Sequence, residues 1–288
     1  METPPLNLKK YRDFGQLITD TFVFIKQEHQ LLIKVILTYV GPFVLITAFA
    51  GAWMQTGLFK SMDLNNATDP FGIFRDLGMK YFIYILATLV SSTMMMCTLY
   101  SYMFLYTRQG KDGFLPEDVW EMVKEKFFPV LGLILVVGFI VFFGIILCIV
   151  PGVYLAVVFT LVVASSVFEN LSPGKAMERS MFLVKEDFWF ALGIGFVMSL
   201  IAGMLGMIFL APSSIMSMFL MINNIQGESS QTVTIIFLIL TAIGTFCASI
   251  LYGIPHITMS MFYLSQIEKK ESPNLFDKIE QINKPNLE

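Results

Sequence analysis

Charge is scarce in this chain. Of its 288 residues only 14% are Asp, Glu, Lys or Arg, while 56% are hydrophobic and the mean hydropathy is +0.70. That balance lies outside the range of water-soluble domains and excludes one. The net charge of −3 and the scatter of basic residues in short groups lack the electrostatic footprint of a nucleic-acid binder, so nucleic acid is excluded as a partner. Cysteine is equally sparse. Cys97, Cys148 and Cys247 all lie in apolar runs, and none has a second thiol near it in sequence, which argues against disulfides and thiolate metal sites. The first thirty residues carry Lys9, Lys10, Arg12, Asp13, Asp20, Lys26 and Glu28, so the apolar core of a signal peptide is missing and the first helix is read as a true span.

What is abundant is long charge-free sequence. A charged group is costly in hydrocarbon and a helix needs about 20 residues to cross it, so intervals between charges locate the spans. Lys34 to Lys60 holds residues 31–54, Lys80 to Arg108 holds 81–106, and Lys126 to Glu169 is long enough for two. Pro151-Gly152 divides that interval into 127–149 and 153–168, a tight hairpin. Asp187 to Glu228 holds 188–210, ended by Pro212-Ser213-Ser214, with a short apolar piece at 215–222. The sixth span starts near Val233 and bends at Gly253-Ile254-Pro255. The fold class is therefore all-α: a polytopic bundle of about six transmembrane helices. Residues 1–30 form a cytoplasmic segment, 31–267 the membrane domain and 268–288 a polar cytoplasmic tail.

Orientation follows from the basic residues, which are retained in the cytoplasm. Sixteen of the 19 Lys and Arg residues fall on one side of this layout; Lys60, Arg75 and Lys80 fall on the other. Both termini are expected inside, with Asn66 outside and Glu178 and Asp277 inside. Each cytoplasmic segment before an odd-numbered span also carries an amphipathic stripe. Phe14, Leu17, Ile18, Thr21, Phe22 and Ile25 recur at helical spacing; Trp120, Val123 and Phe127 make a second stripe; Ala176, Met177, Ser180, Met181 and Val184 make a third. They are expected to lie as interfacial helices. Either an interfacial helix plus hairpin is repeated three times, or any cytoplasmic loop of this length lies down on the membrane.

Groups that carry chemistry are nearly missing from the spans. No Asp or Glu sits in the middle of one, and no His-Glu-x-x-His run, phosphate-binding loop or Gly-x-Ser-x-Gly elbow occurs, so no catalytic, cofactor-binding or metal-ligating residue is assigned, no cofactor is expected and the chain is read as no enzyme. His256, beside Pro255, is read either as a polar pivot or ligand, or as a structural donor for backbone groups freed at the bend. Lys34 either pairs with Glu169 or snorkels to the headgroups. The methionine pairs and triplets, Met94-Met95-Met96 among them, suit adaptable packing better than thioether ligation. Gly193, Gly195, Gly203 and Gly206 would let helices approach closely. The glycosylation sequons at Asn66 and Asn170 fall on opposite sides and are taken as chance.

The run Ile149-Val150-Pro151-Gly152-Val153-Tyr154-Leu155, followed by Glu169, Ser172-Pro173, Ala176, Arg179-Ser180, Leu183-Val184-Lys185 and Phe188, resembles a bacterial multi-pass family related to the membrane domain fused to some glycerophosphoryl diester phosphodiesterases. The resemblance implies a bacterial inner-membrane protein connected with envelope lipids, and supplies no catalytic residues. In physical terms Ser172-Pro173 suits a helix start. The residues to follow are Pro151, Gly152, Glu169, Arg179, Pro255 and His256. The expected function is that of an interaction or scaffold protein, with the lipid bilayer, other membrane proteins and a second copy of the chain as partners. The alternative is a transporter or channel for a small or lipid-like solute, which would need a converging polar path through Ser91, Ser92, Thr93, Ser101, Ser165, Ser166, Thr245, Ser249 and His256.

Overall fold

A computed structural model describes residues 6–61, 70–111, 113–225 and 231–271. Asn66 and Asp277 lie outside them. The described residues are predominantly helical, with no strand among them, and six stretches are long and apolar enough to cross a membrane: Phe14–Gln55, Leu77–Gln109, Pro116–Leu147, Ile149–Glu169, Pro173–Leu220 and Thr232–Glu271. They match the six predicted spans one for one. The helices are α1 (Phe14–Val35), α2 (Gly41–Ser61), α3 (Pro70–Gln109), α4 (Pro116–Leu147), α5 (Ile149–Val158), α6 (Val162–Glu169), α7 (Pro173–Val184), α8 (Phe188–Ile225), α9 (Gln231–Leu251) and α10 (Ile254–Glu271). A π turn at Ile36–Val40 joins α1 to α2, and a 3-10 turn at Lys185–Asp187 joins α7 to α8.

Several breaks fall elsewhere than the sequence suggested. Pro151-Gly152 is not the hairpin turn: the chain breaks at Cys148, which is extended at φ −168° and ψ 139°, and both residues sit inside α5. A proline in the first turn of a helix removes an N–H that would have no partner in any case, so it starts a helix as readily as it ends one. Gly152 has a different task. A Cβ there would lie 2.4 Å from Ile145 Cγ1, 2.6 Å from its N and 2.7 Å from its Cα. Only a hydrogen lets α4 and α5 close at that distance. Pro212 does not end a helix either, for α8 runs through it to Ile225. Just beyond it the hydroxyls of Ser213 and Ser214 donate to the Leu210 carbonyl at 2.8 and 3.0 Å.

Two of the three expected interfacial helices are the first turns of longer ones. α1 passes the 30/31 boundary without interruption, and the Trp120 stripe belongs to α4. Charged residues change what a helix faces, not whether it continues. The 267/268 boundary likewise falls within α10. Only α7 stands as a separate short helix, started by Ser172 and Pro173 as expected, with Ala176, Ser180, Leu183 and Val184 buried.

The chain divides into two compact units. Unit 1 comprises Met1–Lys34, Met96–Met198 and Ile254–Glu288; within it α1, the C-terminal turns of α3, α4 to α7, the start of α8 and α10 share a core. α1 buries Leu17, Thr21, Phe24 and Glu28, a face rotated from the predicted stripe, and Phe22 points outward. The rotation has a packing cause: Thr21 Oγ1 lies 3.1 Å from Thr258 Oγ1 on α10, and Phe24 meets the rings of Tyr102 and Tyr106 edge-on. Unit 2 comprises Val35–Met95 and Ser199–Gly253. Thr47 Oγ1 donates there to the Ala87 carbonyl at 3.0 Å, tying α2 to α3. α8 and α9 come together at Gly244, where a Cβ would lie 2.6 Å from the Phe209 carbonyl oxygen.

Candidate functional site

Two of the sequence candidates, Glu169 and Arg179, meet in unit 1. α6 ends at Glu169 because Asn170 takes a left-handed conformation, φ 53°, reversing the chain toward Ser172 and Pro173. Asparagine is among the few residues that tolerate this conformation. Lys126 Nζ donates to Asn170 Oδ1 at 2.6 Å and holds the turn against α4. Arg179, two turns into α7, thereby returns to the end of α6, and its Nε donates to Glu169 Oε1 at 2.8 Å. The rest of the guanidinium engages both oxygens of Glu271 at the end of α10, Nη1 at 2.5 Å and Nη2 at 3.0 Å. This is the planar two-point pairing that arginine makes with a carboxylate.

Tyr263, two turns before Glu271 on α10, donates its hydroxyl to the same Glu169 oxygen and packs on Phe168, ring centroids 5.2 Å apart. Glu169 thus accepts from two helices at once. Around this core Lys269 pairs with Asp187 and Lys270 with Glu186, while Lys270 Nζ also donates to the Phe182 carbonyl at 2.7 Å. The result is a belt of opposed charges joining α6, α7 and the following 3-10 turn to α10. Its chemistry is that of a latch: the guanidinium and the Glu169 carboxylate are both occupied by neighbours, and the belt offers no free nucleophile beside a base.

A second polar centre orders the N-terminal segment. Arg12 is fully buried; its Nε pairs with Asp20 at 2.8 Å, Nη1 donates to the Leu8 carbonyl at 2.8 Å and Nη2 to that of Asn7 at 2.6 Å. Its backbone N–H donates to Ser265 Oγ on α10. Burial pulls the Arg12 guanidinium below its ordinary value, and the hydrogen bond and charge of Asp20 oppose that pull. Sequence reasoning counted Arg12 only as a topology signal. Tyr263, Glu271 and the Arg12 centre were all missed, and only the placement of Glu271 at the end of an apolar helix could have pointed to one of them.

The remaining candidates lie apart from the latch. Pro151 and Gly152 belong to the α4–α5 hairpin. Pro255 is the second residue of α10, after a turn at Tyr252-Gly253, so its missing N–H frees no carbonyl for an imidazole to satisfy. His256 makes no side-chain hydrogen bond to a described residue and rests on Tyr100, ring centroids 6.2 Å apart. Lys34 is exposed and does not pair with Glu169. Four of the nine residues proposed to line a path bond to nearby backbone, Ser92 and Thr93 donating to Leu89, Ser165 to Leu161 and Ser166 to Leu171, whereas the Ser101 hydroxyl is buried without a partner. Comparison of the chain with family models, curated proteins and solved structures gives no match.

Proposed function

We propose that this protein is a non-enzymatic interaction or scaffold element of a bacterial inner membrane, with both termini in the cytoplasm. The observation that carries the reading is the Arg179 latch. Its ionisable groups are taken up in holding α6, α7 and α10 together, which builds a fixed platform from them. The sixteen-to-three partition of basic residues supports the orientation, in which the latch faces the cytoplasm. The likeness of 149–193 to the phosphodiesterase-associated membrane family supports an envelope role. Partners would be met through the apolar outer faces, on which Phe128, Ile149 and Trp189 are among the most exposed side chains; the bilayer covers whatever partners do not.

Site-specific photocrosslinkers at Phe128 and Trp189 in living cells test this. The expected result is a discrete protein adduct from at least one position, lost when the crosslinker is moved to buried Val130. Adducts to lipid alone, together with solute movement in liposomes containing the purified chain, would refute it. That second outcome belongs to the alternative reading, a transporter or channel for a small or lipid-like solute, which one observation favours: the interior of unit 1 holds a carboxylate, Glu28, that pairs with no basic side chain among the described residues.

A further inference from the structure

Glu28 lies on α1 one turn beyond Phe24 and is only 4% exposed. Tyr102 donates its hydroxyl to Glu28 Oε2 at 2.9 Å. The other oxygen, Oε1, is buried and has no hydrogen-bond partner, and no cationic side chain pairs with the carboxylate among the described residues. Its surroundings are aromatic: Phe24 stands edge-on to Tyr102 and Tyr106 at centroid distances of 6.2 and 5.0 Å, and Tyr102 to Phe114 at 5.1 Å. A carboxylate taken from water into such a setting without a counter-charge is strongly disfavoured, so something positive belongs beside it.

The facing helix indicates what. Along α3 the hydroxyls of Thr88, Thr93 and Thr107 donate to carbonyls four residues back, at 2.8, 2.8 and 2.7 Å. Thr98 and Ser101 break the pattern, for both hydroxyl oxygens are buried with no partner. Thr98, Ser101 and Tyr102 stand at i, i+3 and i+4, on one side of the helix. Side chains on a helix lean toward its N-terminus, so the Tyr102 ring that reaches Glu28 runs back over the turn carrying Thr98. One carboxylate oxygen and two hydroxyl oxygens, each buried and without a partner, are thus linked through Tyr102: Glu28 by its hydrogen bond, Thr98 and Ser101 by the side of α3 they share with it.

We propose that Glu28, Thr98 and Ser101 are ligands of a buried site for a monovalent alkali cation, with Tyr102 holding the carboxylate in place. Hard oxygen donors select a hard cation, and a single carboxylate matches a single positive charge. A proton is the poorer occupant: on Oε1 it could be shared with at most one of the two hydroxyl oxygens and would leave the other as it is. A cation uses lone pairs, which are what the site has. The inference stands apart from the scaffold reading, since occupancy requires no partner protein.

Thermal unfolding of the purified full chain in detergent tests it, in LiCl, NaCl, KCl and choline chloride at equal ionic strength and fixed pH. One alkali ion should raise the midpoint saturably above the choline value. Glu28→Gln should lose that rise, and Thr98→Val, which keeps the side chain's shape, should shift the saturating concentration upward by on the order of tenfold. Should Glu28→Gln fail to fold, Thr98→Val combined with Ser101→Ala serves in its place, with loss of the rise expected. Identical midpoints in all four salts would overturn the proposal, as would a rise that survives in the variants. A midpoint that follows pH but no alkali ion, and stops doing so in Glu28→Gln, would also overturn it and make the occupant a proton.

Discussion

Gly152→Ala is the smallest change the fold should refuse. The added Cβ would arrive 2.4 to 2.7 Å from three atoms of Ile145, two of which, N and Cα, are backbone in the last turn of α4. A flexible side chain could turn aside, but helical backbone cannot. The α4–α5 hairpin must then open, and overpacking of this kind costs roughly 1–3 kcal/mol. Against that, alanine is a better helix former than glycine by up to about 1 kcal/mol. The net expectation is a loss of about 1–2 kcal/mol, read from reversible unfolding of the full chain in mixed micelles. Gly132→Ala is the control: it lies on the same α4, and a Cβ there meets nothing within 4 Å, so it should be neutral or stabilising. Adding Ile145→Ala to Gly152→Ala should not restore stability, because it removes Cγ1 and leaves N and Cα in place. If Gly152→Ala proved as stable as Gly132→Ala, the close approach of α4 and α5 would be wrong, and with it the placement of the turn at Cys148.

Other outcomes follow from the same geometry. Arg179→Gln should lower stability by about 1–2 kcal/mol, a figure reduced because Glu271 is partly exposed to solvent; combined with Glu271→Gln it should cost clearly less than the sum of the single changes, and additivity would mean the two-point pairing does not form. His256→Leu should leave stability within about 0.5 kcal/mol, since the imidazole makes no hydrogen bond to a described residue and rests on the Tyr100 ring; a loss several times larger would restore a polar role at the start of α10. In cysteine-accessibility labelling, a Cys at position 66 should react from outside and one at 178 only once the cytoplasmic side is opened; the reverse pattern would invert the topology.

The six spans were legible because hydrocarbon sets a length and forbids charge, so the intervals between charged residues carry the answer directly. Their ends were less legible. Proline was read as a break at 151 and 212, yet it stands in the first turn of α5 and in the interior of α8. The same residue can start, bend or pass through a helix, and what decides is the packing and backbone around it. No one-dimensional pattern shows that. Pairing Ser172 with Pro173 as a helix start succeeded because it needs only local chemistry.

The polar centres show where hydropathy reading fails in kind. Charge-free intervals find where charge is forbidden, and everything outside them is assumed to be wet. Arg12, Asp20 and Glu28 all fall outside the intervals, and each is at least largely removed from water. What conceals them is that α1 is one continuous helix whose buried face passes from Leu17 through Glu28 to Leu32 and Val35. The stripe chosen from apolar spacing included Phe22 and left out Phe24 and Glu28, because a carboxylate counts against burial on any hydropathy scale. It can be accommodated there by a tyrosine hydroxyl 74 residues away in sequence, a contact that only tertiary structure makes. Arg179 and Glu169, only 10 residues apart, were singled out by resemblance, yet the partner that makes them a latch, Glu271, is 92 residues from Arg179. Long-range polar pairing is therefore the property least available to sequence reasoning in a bundle of this kind, and it is also where the groups capable of function have been gathered.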